Sequence, residues 1–277
     1  MNDKDKQLAF EEEERRIDTT ISKIKHRIAV FSGKGGVGKT TVSVNLACAL
    51  QLNGLATGIL DADITGPNVA KMLGLNDEMI FLGDRMIPFE KYGIKVISIA
   101  SMLPAGQPII WRGPLRSKMI NQFLADVEWG GLDCLIADLP PGTGDEMLTI
   151  GQQMKPDYAV IVTTPQEVSI MDAERAINMA KKMGISAIGV VENMSGFVCP
   201  RCSSVVNIFG EGGGQKLALD LGVEFLGSIP IDINARILSD KGKSIVLEKP
   251  DSEVTNAFKH IANMIEKIYE NDLIERK

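Results

Sequence analysis

The sequence predicts an α/β fold: a doubly wound, mostly parallel sheet with helices on both of its faces. Strand-like and helical runs alternate from residue 27 onward, and the strand-like runs are continuously apolar. Continuous apolar strands are expected when helices cover both faces of a parallel sheet. A glycine-rich loop joins the first strand to the first helix. The 277 residues, 44% of them apolar, are enough to bury one large core.

The predicted elements follow this alternation up to residue 229. The strand-like runs cover residues 28–32, 57–60, 95–100, 134–138, 158–164, 187–192 and 225–229. The helical runs cover residues 42–52, 67–73, 115–127, 146–154, 169–183 and 213–221. A C-terminal helix is expected to pack against the core through Val254, Phe258, Ile261, Ile265 and Ile268. We therefore predict a single domain over residues 26–277, after a charged N-terminal extension over residues 1–25.

Composition and charge limit which partners and which cellular location we expect for the protein. The formal net charge is −6, which argues against broad nucleic-acid binding because contacts with phosphate backbones need clustered Lys and Arg. The chain has no signal-peptide pattern and no apolar run of about eighteen residues. We expect a cytoplasmic protein without nucleic-acid or membrane partners. Four cysteines in so long a chain do not suggest a disulfide framework.

The glycine-rich loop fits the phosphate-binding pattern G-x-x-x-x-G-K-[ST] from Gly33 to Thr40. Between a strand and a helix, such a loop surrounds nucleotide phosphates with backbone N–H groups. Its lysine, here Lys39, reaches the β- and γ-phosphates, and its hydroxyl, here Thr40, binds Mg²⁺. The alternative is a plain glycine-rich turn. The predicted nucleotide site comprises Gly33, Lys34, Gly35, Gly36, Val37, Gly38, Lys39, Thr40 and Thr41.

A second lysine, Lys34, directly follows the first glycine of this loop. The run Lys-Gly-Gly-x-Gly-Lys-Thr-Thr resembles the deviant loop of the MinD, ParA and nitrogenase-iron-protein group of dimeric ATPases, which are SIMIBI-type P-loop NTPases. The resemblance implies that Lys34 reaches across a nucleotide-sandwich dimer to the partner's phosphates. There it would stabilise charge on the transferred phosphoryl group. The alternative is a lysine solvated on the rim of the loop.

Two aspartates follow predicted strands beside the loop. Asp138 ends an apolar strand, as expected of the carboxylate that holds Mg²⁺ through water while the Thr40 hydroxyl binds it directly. Asp63 is expected to orient the attacking water. Asp61-Ala62-Asp63 is similar to the first switch of the same ATPase group, and residues 138–142 are similar to its second. Either aspartate alone could instead be a helix N-cap or a turn residue.

The same resemblance extends to the base of the nucleotide. Asn193 and the turn Pro230-Ile231-Asp232 resemble the purine-recognition positions of the group. The resemblance implies that amide and backbone groups at Asn193, Pro230 and Asp232 contact adenine.

Cys199 and Cys202 form a C-x-x-C pair, which in a cytosolic protein suggests metal or redox chemistry. A four-iron cluster takes four thiolates, so either two chains share a cluster or Cys48 and Cys134 complete it. The latter two fall within an apolar helix and an apolar strand, where cysteine usually acts as a small hydrophobe, and sharing is favoured. Two such pairs would also suit Zn²⁺. A redox dithiol and an incidental pair are further alternatives.

Three stretches select one family within the group: Trp111-Arg112-Gly113-Pro114, residues 126–130 and residues 138–145. They resemble the Mrp/ApbC iron–sulfur cluster carriers, over roughly residues 25–270. The resemblance implies an ATPase that assembles a labile 4Fe–4S cluster between the C-x-x-C pairs of a homodimer and transfers it to apo client proteins. The first cysteine is Cys48, so the chain lacks the N-terminal four-cysteine motif of some relatives and no permanent cluster is expected.

Two other functions share this kind of loop. A spatial-positioning ATPase like MinD or ParA has no use for a C-x-x-C pair and would need a basic patch or tail. An electron-transfer ATPase like the nitrogenase iron protein also shares a cluster between subunits, but its cysteines are not paired as C-x-x-C. The cluster carrier is therefore the preferred interpretation.

Overall fold

The computed structural model describes residues 3–64, 66–102, 113–142, 144–185 and 187–275. Trp111, Arg112 and Thr143, which belong to the family-selecting stretches, lie outside these ranges. The predicted fold class is confirmed: a nine-stranded, mostly parallel sheet has the strand order β10-β9-β8-β1-β7-β2-β6-β5, with β11 also paired to β9. The strands are β1 (Ile24–Phe31), β2 (Thr57–Asp61), β3 (Ile80–Leu82), β4 (Arg85–Ile87), β5 (Phe89–Lys91), β6 (Ile94–Ser98), β7 (Leu132–Asp138), β8 (Tyr158–Thr163), β9 (Ala187–Val198), β10 (Val205–Val206) and β11 (Glu224–Ile231).

Helices connect and cover the strands. They are α1 (Asp3–Ile21), α2 (Lys39–Leu52), α3 (Val69–Met72), α4 (Gly113–Asp126), α5 (Asp145–Thr149), α6 (Glu167–Lys182), α7 (Gly213–Leu221), α8 (Ile233–Asp240), α9 (Ile245–Glu248) and α10 (Glu253–Glu275). A 3₁₀ turn over Ile99–Met102 follows β6, and a π-helical turn over Ile150–Met154 continues α5. None of the helices in the described ranges is both long and apolar enough to cross a membrane.

The central strand β1 shows why the sheet is covered on both sides. Successive side chains of a strand point to opposite faces. Ala29 and Phe31 belong to the core cluster that includes α4 and α6, whereas Ile28 and Val30 belong to the cluster that includes α2 and α10. All four are fully buried. The expected packing of the C-terminal helix is confirmed, since Val254, Phe258, Ile261 and Ile265 are buried and Ile268 packs against them.

Most of the predicted N-terminal extension forms helix α1, which contributes to the core. Its Ile17 and Ile21 are buried, as is Ile24 at the start of β1, and all three belong to the core cluster that includes α4. Polar contacts add to this packing, because the Arg16 guanidinium lies 3.3 Å from an Asp126 carboxylate oxygen at the end of α4. The division of the chain at residue 25 stays a prediction, but the inner face of α1 packs with the domain.

Several elements were not predicted. The β3–β4 hairpin forms a separate two-stranded sheet, which an isolated bridge between Met86 and Val127 connects to the residues after α4. Helix α8 follows β11 directly. Strand β9 was expected to end at residue 192 but continues to Val198, because β11 pairs with it as far as Phe197. This extension carries the chain from the sheet to the C-x-x-C pair, with one shift of register against β11.

Candidate functional site

The glycine-rich loop lies between β1 and α2, as the motif requires. Gly36 and Gly38 have φ angles of 84° and 85°, which L side chains rarely adopt. Gly38 is the N-cap of α2, so the loop leads directly into the N-terminus of that helix. Gly33 approaches α6 so closely that a Cβ atom would collide with the backbone carbonyl of Asp172. The loop is therefore fixed between two helices, with backbone N–H groups available for an anion.

The carboxylate of Asp138 gathers the polar side chains at the start of α2. Lys39 Nζ donates to Asp138 Oδ1 at 2.8 Å, and the Thr40 hydroxyl donates to Oδ2 at 2.7 Å. The Ser43 hydroxyl also donates to Oδ1, at 2.6 Å. Asp138 is fully buried and Lys39 is 6% exposed. The structure thus brings together Lys39, Thr40 and Asp138, as expected, and adds Ser43, which lies one helical turn after Lys39.

An open cavity of about 330 Å³ lies over the loop. Lys34, Lys39, Thr40 and Asp63 all line it, so the two loop lysines, the predicted metal-binding hydroxyl and the predicted water-orienting carboxylate face one space. Asp138 is fully buried behind Lys39 and Thr40 and is not part of the lining. Within the described residues Lys34 makes no ion pair, whereas Lys39 is paired with Asp138. The remaining lining residues are Ser32, Gly35, Gly36, Gly38, Thr41, Asn68, Lys71, Met72, Pro141, Ser239 and Asp240.

A second cavity, of about 360 Å³ and mostly apolar, adjoins the first. Asn193, Pro230 and Asp232 line it, together with apolar side chains such as Ile229 and Phe258. The two cavities share four lining residues, namely Gly38, Thr41, Ser239 and Asp240. Their junction suits a ligand with a polar phosphate end and a flat apolar end. Ser239 and Asp240 lie on α8, which the sequence patterns had not indicated.

Asn193 and Asp232 make defined contacts at this second cavity. The Asn193 side-chain amide donates to the Val37 carbonyl at 2.8 Å and packs against Gly38, where a Cβ atom would collide with it. The Asp232 carboxylate caps α8 by accepting from the backbone N–H groups of Asn234 and Ala235. Asn193 therefore connects β9 to the phosphate loop, and Asp232 fixes the start of the helix that borders both cavities.

Asp61, at the end of β2, is a buried acid beside Asp138. The two residues are paired in register on neighbouring strands. Burial, and then the negative charge of Asp138, raise the pKa of Asp61 to about 8. The Ser98 hydroxyl, which donates to Asp61 at 2.8 Å, and the charge of Lys39 oppose this shift. The carboxyl group is therefore largely protonated at neutral pH, in contrast to an exposed aspartate.

Cys199 and Cys202 lie at the tip of a hairpin formed by β9 and β10, which we call the cysteine hairpin (residues 197–206). Val205 pairs with Val198, and the Cys199 N–H donates to the Ser204 carbonyl at 2.9 Å. Cys202 is exposed and Cys199 is partly exposed. Hydrogen bonds with the Ser204 side chain and backbone, and then with Cys199, lower the pKa of Cys202. A lowered thiol pKa favours the thiolate, which is the form that binds metals.

The other two cysteines have a different environment. Cys48 and Cys134 are fully buried, on α2 and β7. Burial raises the pKa of Cys48 to about 11 and that of Cys134 further still. Across the ranges that the structure describes, no three His, Cys, Asp or Glu side chains are grouped so that they could hold a metal ion. One chain therefore presents two accessible thiols, not four.

The fold and the phosphate loop together define a P-loop NTPase of the α/β class. Over residues 23–266 the chain matches the ParA family described as NUBPL iron-transfer P-loop NTPase. It belongs to this family, and the predicted resemblance to iron–sulfur cluster carriers is confirmed.

Individual proteins agree with this assignment. The chain is 55% identical over 258 residues to an iron-sulfur cluster carrier protein of Methanocaldococcus jannaschii, covering 92% of this chain and 88% of that protein. It is 41% identical to a solved nucleotide-binding protein of Archaeoglobus fulgidus in complex with ADP, in which cobalt was found. That match has a TM-score of 0.77 and covers 88% of this chain and 96% of the other. The Pyrococcus furiosus cell division ATPase MinD, at 24% identity, TM-score 0.65 and coverage of 88% and 99%, shares the fold.

Proposed function

We propose that this protein is an ATP-hydrolysing iron–sulfur cluster carrier, in which two copies of the chain hold a labile 4Fe–4S cluster and release it to apoproteins. The main support for this proposal is that one strand, β9, connects the phosphate loop to the C-x-x-C pair. Its Asn193 contacts the phosphate loop, and the same strand ends at the exposed thiols of the cysteine hairpin. The name of the Methanocaldococcus jannaschii relative, an iron-sulfur cluster carrier, supports it.

The nucleotide would occupy the two adjoining cavities. Its phosphates would lie against the loop N–H groups and Lys39, and its adenine would enter the apolar cavity beside Asn193, Pro230 and Asp232. The ADP complex of the Archaeoglobus fulgidus protein supports nucleotide binding in this fold. Hydrolysis transfers the γ-phosphoryl group of ATP to water and leaves ADP and inorganic phosphate. Asp63 is assigned to orient that water, since it lines the phosphate cavity.

The residues present also fit Mg²⁺. The Thr40 hydroxyl and the Asp138 carboxylate converge within 2.7 Å of each other, and oxygen groups of this kind are the ligands that Mg²⁺ prefers. When bound, the ion neutralises charge on the β- and γ-phosphate oxygens. The chain's own contribution is to hold the two oxygens in place, since Lys39 and Ser43 fix the other oxygen of Asp138.

Lys34 is assigned to the phosphates of a second copy. It lines the phosphate cavity and, within the described residues, makes no ion pair. A cation that reaches a neighbouring site would stabilise negative charge on the transferred phosphoryl group, as arginine fingers do. This assignment makes the active site complete only in the dimer.

The cluster is the cargo, and the cysteine hairpin is proposed to hold half of it. A four-iron cluster takes four thiolates, of which one chain presents Cys199 and Cys202. Apolar side chains flank the thiols and are exposed in the single chain: Val198, Val205, Val206 and Ile208 are 36–66% exposed. Such a patch suits contact with a second copy. Four thiolates from two hairpins would also suit Zn²⁺, which could replace the cluster in a purified sample.

Anaerobic reconstitution with iron and sulfide tests the proposal. We expect about four irons per dimer, as one cubane requires, and transfer of the cluster to an apo acceptor at a rate that depends on ATP. The double variant Cys199→Ala/Cys202→Ala should bind no cluster, whereas Cys48→Ala, which changes a buried thiol, should bind a normal amount. Normal cluster binding by the double variant would contradict the shared site. Transfer that is indifferent to ATP would contradict the carrier function as proposed.

A further inference from the structure

Glu192 is a buried carboxylate that the proposed chemistry does not use. It lies on β9 immediately before Asn193, and its side chain is fully buried. Buried carboxylates are retained only with partners, because an unpaired one is strongly destabilising. The contacts of Glu192 therefore indicate what the residue does.

The partners of Glu192 lie on both sides of the cysteine hairpin. Oε1 accepts from the Ser195 hydroxyl at 2.7 Å and from the Gly212 N–H at 3.1 Å, and Oε2 accepts from the Gly214 N–H at 2.6 Å. Ser195 lies on the strand that leads to the cysteines. Gly212 and Gly214 lie where the chain returns from them and begins α7. One carboxylate thus ties Ser195, before the cysteine hairpin, to Gly212 and Gly214, after it, and we call these flanking residues the base of the hairpin.

Close packing reinforces these hydrogen bonds. A Cβ atom on Gly214 would lie 3.1 Å from the Cβ of Glu192 and 3.2 Å from its Oε2. The N-terminus of α7 also favours a negative charge at this position. The carboxylate and the return segment therefore fit each other too closely to move independently.

Glu192 and Asn193 are neighbours whose side chains point to opposite faces of the strand. Asn193 binds the Val37 carbonyl of the phosphate loop, and Glu192 binds the base of the cysteine hairpin. The next residue, Met194, has a φ angle of 57°, which is strained for a non-glycine residue. The register of β9 against β11 shifts directly after this point, between the pairs Asn193–Ile229 and Phe197–Ile231.

We propose that Glu192 is a positioning residue that clamps the base of the cysteine hairpin to β9, so that the hairpin moves with Asn193 and the phosphate loop. A displacement of the loop by nucleotide is then passed to Cys199 and Cys202 through two adjacent residues of one strand. This inference rests on the proposed function and names the residue that links its two sites.

The variant Glu192→Gln tests the clamp with little change in shape. One of the two carboxylate oxygens becomes an NH₂ group, which faces a backbone N–H instead of accepting from it. The matched control is Glu211→Gln, which removes an exposed carboxylate of the same return segment that contacts only Asn207 in the described structure. Both variants remove one negative charge from the segments that flank the cysteine hairpin, but only Glu192→Gln changes the clamp.

The measurement is the alkylation rate of Cys202 by iodoacetamide in the full-length apoprotein, with and without a non-hydrolysable ATP analogue. In the wild type and in Glu211→Gln, the analogue should change this rate by about fivefold or more, the lower end of typical coupling between sites. In Glu192→Gln the change should fall below about twofold while affinity for the analogue stays the same. A purely structural role of Glu192 would lower the melting temperature but leave this ratio unaltered.

Two results would overturn the proposal: a wild-type rate that is indifferent to the analogue, or an unchanged ratio in Glu192→Gln. If Glu192→Gln does not fold, the same measurement is made on Ser195→Ala. This variant removes the hydroxyl that donates to Glu192 and keeps the carboxylate and the start of α7. A reduced ratio in Ser195→Ala supports the clamp and an unchanged ratio refutes it. Cluster loading of the wild type is measured in parallel. Normal loading without nucleotide-dependent alkylation contradicts the clamp alone, whereas absent loading contradicts the proposed function.

Discussion

At the scale of single residues, two lysines of one loop have different surroundings. Lys39 is buried and paired with Asp138, whereas Lys34 is partly exposed on the rim of the phosphate cavity. A buried, paired lysine suits binding of its own nucleotide. A lysine on the rim suits a reach to another site.

Replacing Lys34 should therefore separate binding from hydrolysis. In Lys34→Ala we expect the ATPase rate to fall by about tenfold or more, while the dissociation constant for ATP changes by less than about threefold, because the transferred charge is stabilised only in the transition state. Phosphate release and equilibrium nucleotide binding measure the two quantities. Lys182→Ala, at the exposed end of α6, is the control and should leave both unchanged. An unaltered hydrolysis rate in Lys34→Ala would remove the proposed role.

The raised pKa of the buried Asp61 predicts an unusual dependence of stability on pH. Its pKa is raised from 3.8 to about 8 in the folded protein, so the folded state binds more protons than the unfolded state between these values. The contribution of Asp61 to stability is therefore full below about pH 4 and is lost as the pH rises toward 8. Urea unfolding between about pH 5.5 and 8.5, a range around the shifted pKa of about 8, measures this effect. As the pH rises, the free energy of unfolding should fall less in Asp61→Asn than in the wild type. A carboxyl ¹³C titration of Asp61 near its ordinary value would contradict this.

At the scale of whole elements, α1 packs with the domain instead of extending from it. Ile17 is 1% exposed within the core cluster, whereas Leu8, about two and a half turns earlier on the same helix, is 54% exposed. Residues 7–12 of α1 are exposed, and its C-terminal end continues the core.

Truncation of the buried side chain measures this contribution. We expect Ile17→Ala to lower the free energy of unfolding by about 2–5 kcal/mol, the usual cost of such a cavity in a core. Leu8→Ala, on the exposed part of α1, should change it by less than about 0.5 kcal/mol. Denaturant unfolding of both variants gives the comparison. Equal, small effects would mean that α1 is the separate extension that its charge suggested.

The sequence predicted elements best where local pattern and burial agree. The core strands are continuous apolar runs, and the phosphate loop needs only local residues. Strand β9 was predicted too short because Asn193, Ser195 and Gly196 favour turns, whereas pairing with β11 keeps the chain in the sheet. The β3–β4 hairpin was missed because Ile80, Phe81 and Leu82 are exposed and show no alternation.

Contacts between distant residues were the hardest to predict. Ser43 donates to Asp138, which lies 95 positions later, and no local pattern indicates such a pair. Glu192 could be noticed only as a charged residue at the end of an apolar strand, and its three donors are invisible in the sequence. Polar networks of this kind depend on the final arrangement of the sheet, which local preferences do not determine.

At the scale of the whole molecule, the proposed dimer predicts complementation between two inactive chains. Lys39→Ala should not bind ATP productively, and Lys34→Ala should bind it but hydrolyse it poorly. A mixed dimer would contain one intact site, made of Lys39 from one copy and Lys34 from the other. Random mixing of equal amounts should therefore restore about a quarter of the wild-type ATPase rate, because half of the twofold dimers are mixed and each has one site of two.

The control for complementation is each variant alone at the same total concentration. Neither variant should gain ATPase activity when more of the same variant is added to reach that concentration. If the mixture is no more active than the mean of its components, Lys34 acts within its own chain, and the dimer is not needed for hydrolysis.

The returning strand of the cysteine hairpin, β10, pairs with β9 at two positions, Val205 with Val198 and Val206 with Phe197. A segment held by so short a ladder opens locally at a small fraction of the free energy of global unfolding. Its amide hydrogens should therefore exchange with solvent long before those of β1, which is paired on both sides. Fraying of this tip would let the accessible thiols move toward an acceptor while the rest of the sheet stays folded.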